Sequence, residues 1–185
     1  MQTALLLIDV QQSFKHRPYW RPEPAAAFLH EVNTLVAGCV ERGVPIVRIL
    51  HCDEPAHPDN PFSRESGLLR PMDGLRDFTP ALDVVKHRHS ALVGTGLMIW
   101  LHQQRIGRVI VAGLRSEQCC ETTARHASDE GFDVDYVGAA TLTFDMETPD
   151  GGVMTAPELL ARTECVLAGR FVTLCSVGQA LARAR

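Results

Sequence analysis

Three residues of the chain have side chains that could together perform nucleophilic catalysis. Asp9, Lys86 and Cys119 supply a carboxylate, an ammonium and a thiol. A carboxylate can take the proton of a thiol, an ammonium can stabilise the anions that result, and the sulfur can attack a carbonyl carbon. Each residue alone also has a structural explanation, as a turn aspartate, a solvated loop lysine or a buried cysteine. The three together favour a cysteine hydrolase.

The segment around Cys119 is predicted to pass from a buried strand into a helix. Residues 109–112 are apolar, Gly113 ends that run, and Gly131 ends the helix that follows. Ser116 stands in the N-cap position, which places Cys119 in the first helical turn. The helix dipole and the free N–H groups of that turn favour a thiolate and could hold a developing oxyanion.

Strands and helices alternate along the whole chain. The predicted strands are residues 3–8, 44–50, 82–86, 109–112, 132–137 and 171–174, and the predicted helices are residues 24–42, 95–105, 116–131 and 155–169. This alternation predicts a single domain, residues 1–185, with a three-layer α/β/α fold and a parallel sheet. In such sheets chemistry collects beyond the carboxyl ends of the strands, where Asp9, Lys86 and Cys119 lie. Residues 52–80 have no periodicity, and a loop that long is usually functional.

Composition narrows the class of protein and of partner. A chain of 185 residues can bury a full core without disulfides. The formal net charge of −4 argues against a nucleic-acid surface, and no apolar run reaches membrane length. Asp9 lies where a signal peptide would still be apolar, and the six cysteines have no framework spacing. We therefore expect a cytoplasmic protein with reduced thiols and a small-molecule substrate.

Three segments resemble motifs of the isochorismatase-like cysteine hydrolases, a family that includes nicotinamidases, N-carbamoylsarcosine amidases and ureidoacrylate amidases. They are residues 5–14 (LLLIDVQQSF), 86–97 (KHRHSALVGTGL) and 113–124 (GLRSEQCCETTA). The segments occur in the family's order, and the likeness covers nearly the whole chain. It implies a Rossmann-like sandwich with a six-stranded parallel sheet of order 3-2-1-4-5-6.

The resemblance also implies roles for individual residues. Asp9, Lys86 and Cys119 would form the catalytic triad, and the Leu114–Arg115 peptide bond would be cis. The backbone N–H groups of Arg115 and Cys119 would hold the oxyanion. The expected activity is hydrolysis of an amide or ureido C–N bond of a small molecule through a thioester. Because strands lie about 4.8 Å apart, Lys86 must reach across the second strand to meet Asp9.

The ligands that bind a metal in some members of this family are only partly present in this chain. Nicotinamidases of the family bind a divalent metal through an Asp-x-His on the second strand. Here His51 fits that pattern, but Ile49 takes the aspartate position. Other donors that could substitute or lie nearby are Asp53, His57, His87 and His89. We favour a site with no metal and no cofactor, which also makes nicotinamidase activity less expected.

Several other functions remain open at this stage. True isochorismatases hydrolyse a vinyl ether without a cysteine nucleophile, so Cys119 favours C–N hydrolysis. The spacing from Cys119 to Arg125 matches the phosphatase pattern Cys-x5-Arg, but no glycine lies between them to form a phosphate loop. Adjacent Cys119 and Cys120 could form a redox sensor, although Cys120 is expected to be core. A non-catalytic binding protein is the last alternative, and the absence of glycine after the first strand disfavours a nucleotide.

The substrate pocket and the oligomer are the least determined features. The segment after Asp9 offers Phe14 and Trp20 as pocket residues, and Arg88 or Arg115 could bind an acidic group of the substrate. The resemblance implies a homo-oligomer, a dimer or tetramer. The residues expected at part of its contact are Leu142, Phe144 and Met146. The identity of the substrate lies in loops and is not readable from the chain.

Overall fold

Six parallel strands form the central sheet of the chain in a computed structural model, which describes residues 1–184. In chain order, the strands of the described residues are β1 (Gln2–Ile8), β2 (Ile46–His51), β3 (Leu82–Lys86), β4 (Ile106–Leu114), β5 (Asp133–Leu142), β6 (Met146–Glu147), β7 (Val153–Met154) and β8 (Thr173–Leu174). Of these, β6 and β7 lie outside the central sheet. The sheet has the order β3-β2-β1-β4-β5-β8. This confirms the predicted order, because β8 is the sixth predicted strand. Strands β6 and β7 pair separately as a short antiparallel ribbon that was not predicted.

Helices cover both faces of this sheet. They are α1 (Pro22–Glu41), α2 (Leu97–Gln103), α3 (Glu121–Asp129), α4 (Ala156–Leu167) and α5 (Val177–Arg183). One core lies under α1 and α5, and a second lies under α2, α3 and the end of α4. None of the helices in residues 1–184 is both long and apolar enough to cross a membrane. Residue 185, part of the predicted single domain, lies outside the described residues.

Strand β1 shows why the sequence folds this way. Its side chains alternate between the two cores: Leu5 and Leu7 face α1, whereas Leu6 and Ile8 face α2 and α3. All four are at most 1% exposed. A central parallel strand is covered on both faces, so its sequence is a continuous apolar run rather than an alternating one. The apolar run therefore places Asp9 at the carboxyl end of a buried central strand.

The region before Cys119 differs from the prediction. Ser116 does not cap a helix: its hydroxyl donates to Thr141 Oγ1 at 2.7 Å, and it begins a π turn, Ser116–Cys120, that leads into α3. The wider π turn is often found at functional sites. Thr155 and Glu158 form a capping box at the start of α4.

The long segment between β2 and β3 folds back over the carboxyl ends of the strands. Backbone hydrogen bonds tie it to the residues after β1, from Gln12 N–H to the carbonyl of Arg70 at 2.9 Å and from Met72 N–H to the carbonyl of Val10 at 3.0 Å. It contains only one short 3-10 helix, Arg64–Ser66. This path covers the edge of the sheet at which Asp9 and Lys86 lie.

Candidate active site

Asp9 occupies the first position after β1, and its side chain is fully buried. Its backbone has a φ of +53°, in the left-handed region, and its N–H donates to the carbonyl of Ile49 at 2.8 Å. Non-glycine residues rarely adopt this conformation, and those that do are often found at functional sites. The turn holds the carboxylate at the edge of the sheet where β3 and β4 also end.

Lys86 ends β3 and reaches Asp9 across β2. In the register of the sheet Lys86 lies beside His51 of β2, and β2 in turn lies beside β1. The ammonium Nζ lies 2.8 Å from Asp9 Oδ2, and both side chains are 0% exposed. Nζ also contacts His51 Nδ1 at 3.0 Å and donates to the carbonyl of Arg88 at 3.2 Å. The structure thus brings Lys86 to Asp9 across the intervening strand.

Cys119 lies in the π turn, and its sulfur accepts a hydrogen bond from Lys86 Nζ at 3.2 Å. Cys119 is 7% exposed. Gly113 of β4 allows the backbone of β4 to come close to that of β1 before the π turn begins. Its φ is +134°, and a Cβ there would lie 1.8 Å from the carbonyl oxygen of Ile8. The glycine that ends the apolar run is therefore required for β4 to lie against β1 beside the site.

The charges of the site act on the thiol. Burial, followed by the charge of Asp9, raises the pKa of Cys119 to about 12, although Lys86 acts in the opposite direction. Burial alone would lower the pKa of Lys86, but Asp9 and Cys119 outweigh burial and raise it. The expected preference for a thiolate is thus not met in the free enzyme. The thiol is protonated at neutral pH and needs a base, and Asp9 is the adjacent carboxylate.

A cavity of about 270 Å³ opens above these residues. Asp9 and Cys119 line it together with the aromatic rings of Phe14, Tyr19 and Phe62. The rings of Phe14 and Phe62 pack edge to face with centroids 4.9 Å apart. The cavity has room for a small molecule, with the sulfur exposed to it and aromatic walls on its sides.

Polar residues that the sequence did not identify as substrate-facing also line this cavity. They include Arg17, His51, His89 and Gln118. His89 Nδ1 lies 3.7 Å from the sulfur of Cys119. The sequence indicated His51 and His89 only as potential metal donors. Arg17 and Gln118 had no local pattern to mark them, although Gln118 directly precedes Cys119.

Of the predicted pocket residues, the structure places only Phe14 in the cavity. Trp20 does not line this cavity, and its ring packs 5.5 Å from that of Phe144, against the core. Arg88 does not line it either, and its exposed side chain donates to the carbonyl of His87 at 2.9 Å. Only the backbone carbonyl of Arg88 points inward, toward Lys86.

The peptide bond between Leu114 and Arg115 is cis, which is the geometry that the resemblance implies. The guanidinium of Arg115 pairs with Glu117 at 3.0 Å, and both side chains are at most 9% exposed. It also lies over the ring of Tyr19, 5.0 Å from the centroid. The side chain of Arg115 is therefore already paired with a carboxylate, and it does not line the cavity.

Two of the alternative functions lose support from the structure. Arg125, the partner in the phosphatase spacing, is tied to Glu121 by contacts of 3.0 and 2.9 Å. Cys120 is 0% exposed and packs in the core with Ala124, and it forms no disulfide. Neither an anion-binding loop nor an accessible thiol pair is present around Cys119 in residues 1–184.

The donor set does not fit a divalent metal. Within residues 1–184, one group of potential ligands is found, Asp9, His51 and Cys119, whose ligand atoms lie within 4.8 Å of one another. The ammonium of Lys86 already lies among them, at 2.8, 3.0 and 3.2 Å from the three. A second cation would be repelled there. His57 lies apart, exposed, with its Nδ1 accepting from the N–H of Asp59 at 3.2 Å.

The residues expected at an oligomer contact are mostly internal. Leu142 is 5% exposed and Phe144 is 3% exposed, and both belong to the core under α1. The prediction is wrong for these two residues, because their side chains pack in the core of the chain instead of at its surface. Met146, in the β6–β7 ribbon, is partly exposed. The homo-oligomer itself stays a prediction.

Comparisons with known proteins agree on one family. Residues 3–169 match the family model of the isochorismatase domain. The isochorismatase family protein YrdC of Bacillus subtilis is 25% identical over 95% of this chain and 92% of its own length. Nicotinamidase 3 of Arabidopsis thaliana is 29% identical over 82% of this chain and 78% of its own. A crystal structure of a hydrolase of the isochorismatase family from Chromobacterium violaceum superposes with a TM-score of 0.87, 27% identity and coverage of 98% of this chain and 92% of that one.

Proposed function

The chain belongs to the isochorismatase family of hydrolases, and from this premise we propose that it is a cysteine-dependent amidase acting on a small molecule. The bond cleaved is the C–N bond of an amide or ureido group. One observation carries the proposal: Asp9, Lys86 and Cys119 are in contact at the base of a cavity of about 270 Å³. Similarity to Nicotinamidase 3 supports amide hydrolysis as the reaction class.

The first half of the reaction forms a thioester. Asp9 takes the proton of Cys119, and the sulfur bonds to the carbonyl carbon of the substrate. Lys86 stabilises the thiolate as it forms, and the backbone N–H groups of Arg115 and Cys119 hold the oxyanion. Asp9 then gives its proton to the leaving nitrogen as the C–N bond breaks, so the amine leaves neutral and Asp9 is again a carboxylate.

The second half regenerates the thiol. Asp9 takes a proton from water while the oxygen bonds to the thioester carbon. The C–S bond breaks, the proton returns to the sulfur of Cys119, and the acid product leaves. Because the thiol pKa is raised to about 12 in the free enzyme, each cycle begins and ends with a protonated sulfur. Lys86 remains charged throughout.

Arg17 gives a basis for choosing substrates to test. Its side chain lines the cavity, with the guanidinium 5.7 Å from the ring centroid of Tyr19 and 6.0 Å from that of Phe62. Within residues 1–184 its side chain forms no ion pair, so its N–H donors are not committed to a carboxylate of the chain. A guanidinium in this position can bind a carboxylate. Acid-bearing amides and ureido acids are therefore the first compounds to assay.

The test is a panel of small amides, ureido acids and lactams, each acid paired with its neutral methyl ester. We expect the wild-type protein to release ammonia or amine from at least one member and Cys119→Ala to release none. Arg17→Gln should raise KM about tenfold for the acid and leave the ester unchanged, since a charge-assisted hydrogen bond contributes about 1.5–3 kcal/mol. Release that is equally fast from Cys119→Ala would contradict the proposal.

A further inference from the structure

The ammonium of Lys86 has more acceptors than it has N–H groups. Four acceptor atoms surround Nζ: Asp9 Oδ2 at 2.8 Å, His51 Nδ1 at 3.0 Å, and the Arg88 carbonyl and Cys119 Sγ, each at 3.2 Å. An ammonium carries three N–H groups. One contact must therefore be without a proton at any moment, and which one it is depends on the charges of Asp9 and Cys119.

The chemistry of the cycle changes the strength of two of these acceptors. In the free enzyme the thiol of Cys119 is protonated and is a weak acceptor, whereas Asp9 is available as the stronger one. After the proton moves, the sulfur is an anion and Asp9 is neutral. One N–H of Lys86 is therefore held more strongly by the sulfur after the transfer and by Asp9 before it, and the structure directs this N–H at the sulfur. His51 and the Arg88 carbonyl do not change, so they can hold the other two N–H groups throughout.

His51 is fixed in the tautomer that this requires. Its Nε2 lies 2.9 Å from Asp53 Oδ1, and a carboxylate only accepts, so Nε2 carries the proton. Its Nδ1 lies 3.0 Å from Lys86 and must therefore present a lone pair. Asp53 is itself held by Asn60 Nδ2 at 2.9 Å. The buried side-chain amide of Gln11 fixes the backbone of His51. It accepts from the N–H of His51 at 2.7 Å and donates to the carbonyl of His51 at 3.0 Å.

We propose that His51, oriented by Asp53, is a positioning residue that holds Lys86 so that one N–H can alternate between Asp9 and Cys119. The proposal rests on the function proposed above. It assigns His51 to the lysine instead of to a metal, and it gives the loop between β2 and β3 a part in the reaction. A protonated imidazole would have no lone pair for Lys86, so the arrangement holds only while His51 is neutral.

The surroundings of His51 keep it neutral at ordinary pH. Burial and the charge of Lys86 lower its pKa below the usual range, whereas Asp9 and Asp53 act in the opposite direction. The thiol of Cys119 also lies within 4.8 Å of it, the ring of Phe62 packs 6.0 Å away, and Arg17 and His89 line the same cavity. The acid limb of the pH–rate profile should therefore include protonation of His51.

Two substitutions separate positioning from packing. Asn can offer its side-chain oxygen close to the place of Nδ1 but cannot be protonated, so His51→Asn should keep kcat within about threefold and lose the acid limb that belongs to His51. His51→Leu offers no acceptor and should lower kcat about 10–100-fold with KM little changed, as for other residues that orient a catalytic group. His57→Asn is the matched control, because His57 is exposed in the same loop and does not contact Lys86. It should keep the wild-type profile.

The tautomer provides a readout that does not depend on turnover. Imidazole ¹⁵N shifts of the wild-type protein at pH 7 should show His51 protonated at Nε2 and unprotonated at Nδ1. A His51 protonated at Nδ1, equal loss of kcat in both His51 variants, or an unchanged acid limb in His51→Asn would overturn the proposal. If the wild-type protein hydrolyses no compound of the panel, the proposed amidase fails, and the nitrogen shifts still decide the position of the lone pair.

Discussion

Two buried acids, Glu121 and Asp9, lie close to Cys119, the first along the chain and the second in space. They differ in how many donors bind their carboxylate oxygens. Glu121 begins α3 and is 6% exposed. One of its oxygens is bound by Arg125 and the other by Arg162 and Thr163. Asp9 is 0% exposed, has one ion-pair contact, from Lys86 to Oδ2, and has no partner of hydrogen-bond geometry for either oxygen within residues 1–184.

The difference separates a structural acid from a reactive one. The oxygens of Glu121 are saturated by donors from α3 and α4, so the carboxylate joins two helices and has no lone pair to spare for chemistry. Asp9 has an oxygen without a donor beside a thiol whose proton it could take. A buried polar atom without a partner destabilises a fold, and such atoms remain where function requires them. Substitutions in the reactive cluster of Asp9, Lys86 and Cys119 should therefore lower activity more than stability. Substitutions in the structural cluster of Glu121, Arg125, Arg162 and Thr163 should lower stability more than activity.

The largest effect is expected from the reactive cluster. Cys119→Ala should lower kcat/KM by at least about 10⁴-fold, because no other group in the cavity can form the thioester. The melting temperature should stay within about 2 °C of wild type, since the sulfur contributes one hydrogen bond from Lys86 and little buried volume. Calorimetry and the amide assay on the same preparation check both parts. A variant that melts many degrees lower would place Cys119 with the structural residues.

A smaller and opposite effect is expected from Glu121. Replacing Glu121 by Ala leaves Arg125 and Arg162 without a carboxylate and should lower the free energy of unfolding by about 3 kcal/mol. This loss is at the low end of the range for a broken buried ion pair, since the side chains of Arg125 and Arg162 are 34% and 50% exposed. Below its melting temperature the variant should keep kcat within a few fold. Urea unfolding and the amide assay measure the two quantities. A large loss of kcat with unchanged stability would remove the distinction between the acids.

The fold was largely predictable because its main signals are local. The apolar run of β1 and the alternation of strands and helices lie within short windows of sequence. Helix α5 was missed, although Ser176 and Gln179 form a capping box at its start that could have revealed it. The π turn at Ser116 was not predictable from the N-cap pattern. There the hydroxyl of Ser116 contacts Thr141, a residue of a different strand, which a local pattern does not reveal.

The site divides in the same way between local and distant signals. Asp9 follows β1, Lys86 ends β3 and Cys119 follows β4, so their positions at one edge of the sheet could be inferred from the chain. Phe62 could not, because it comes from a loop without periodicity whose path is set by bonds between distant residues. The position of Trp20 outside the cavity lining was not predictable either, since an aromatic residue after a strand does not indicate whether its ring faces the cavity or the core.

The smallest expected effect is on how the free energy of unfolding changes with pH, which also distinguishes the two clusters. The pKa of Cys119 is about 12 in the folded protein against 9.0 for an ordinary thiol, mainly because of burial. A raised pKa means that its contribution to stability is complete below pH 9 and is lost as the pH rises toward 12, because the unfolded thiol ionises first. Cys39 has a similarly raised pKa of about 12, so wild-type stability should fall over this range and Cys119→Ala should fall less steeply. Glu121→Ala should change the slope less than Cys119→Ala does, since its contacts include no thiol and Glu121 is only the last of the causes that raise the pKa of Tyr136. Urea midpoints measured from pH 8 to 11 compare the three proteins. Equal slopes in wild type and Cys119→Ala would contradict the prediction, because they would mean that folding does not raise the pKa of the Cys119 thiol.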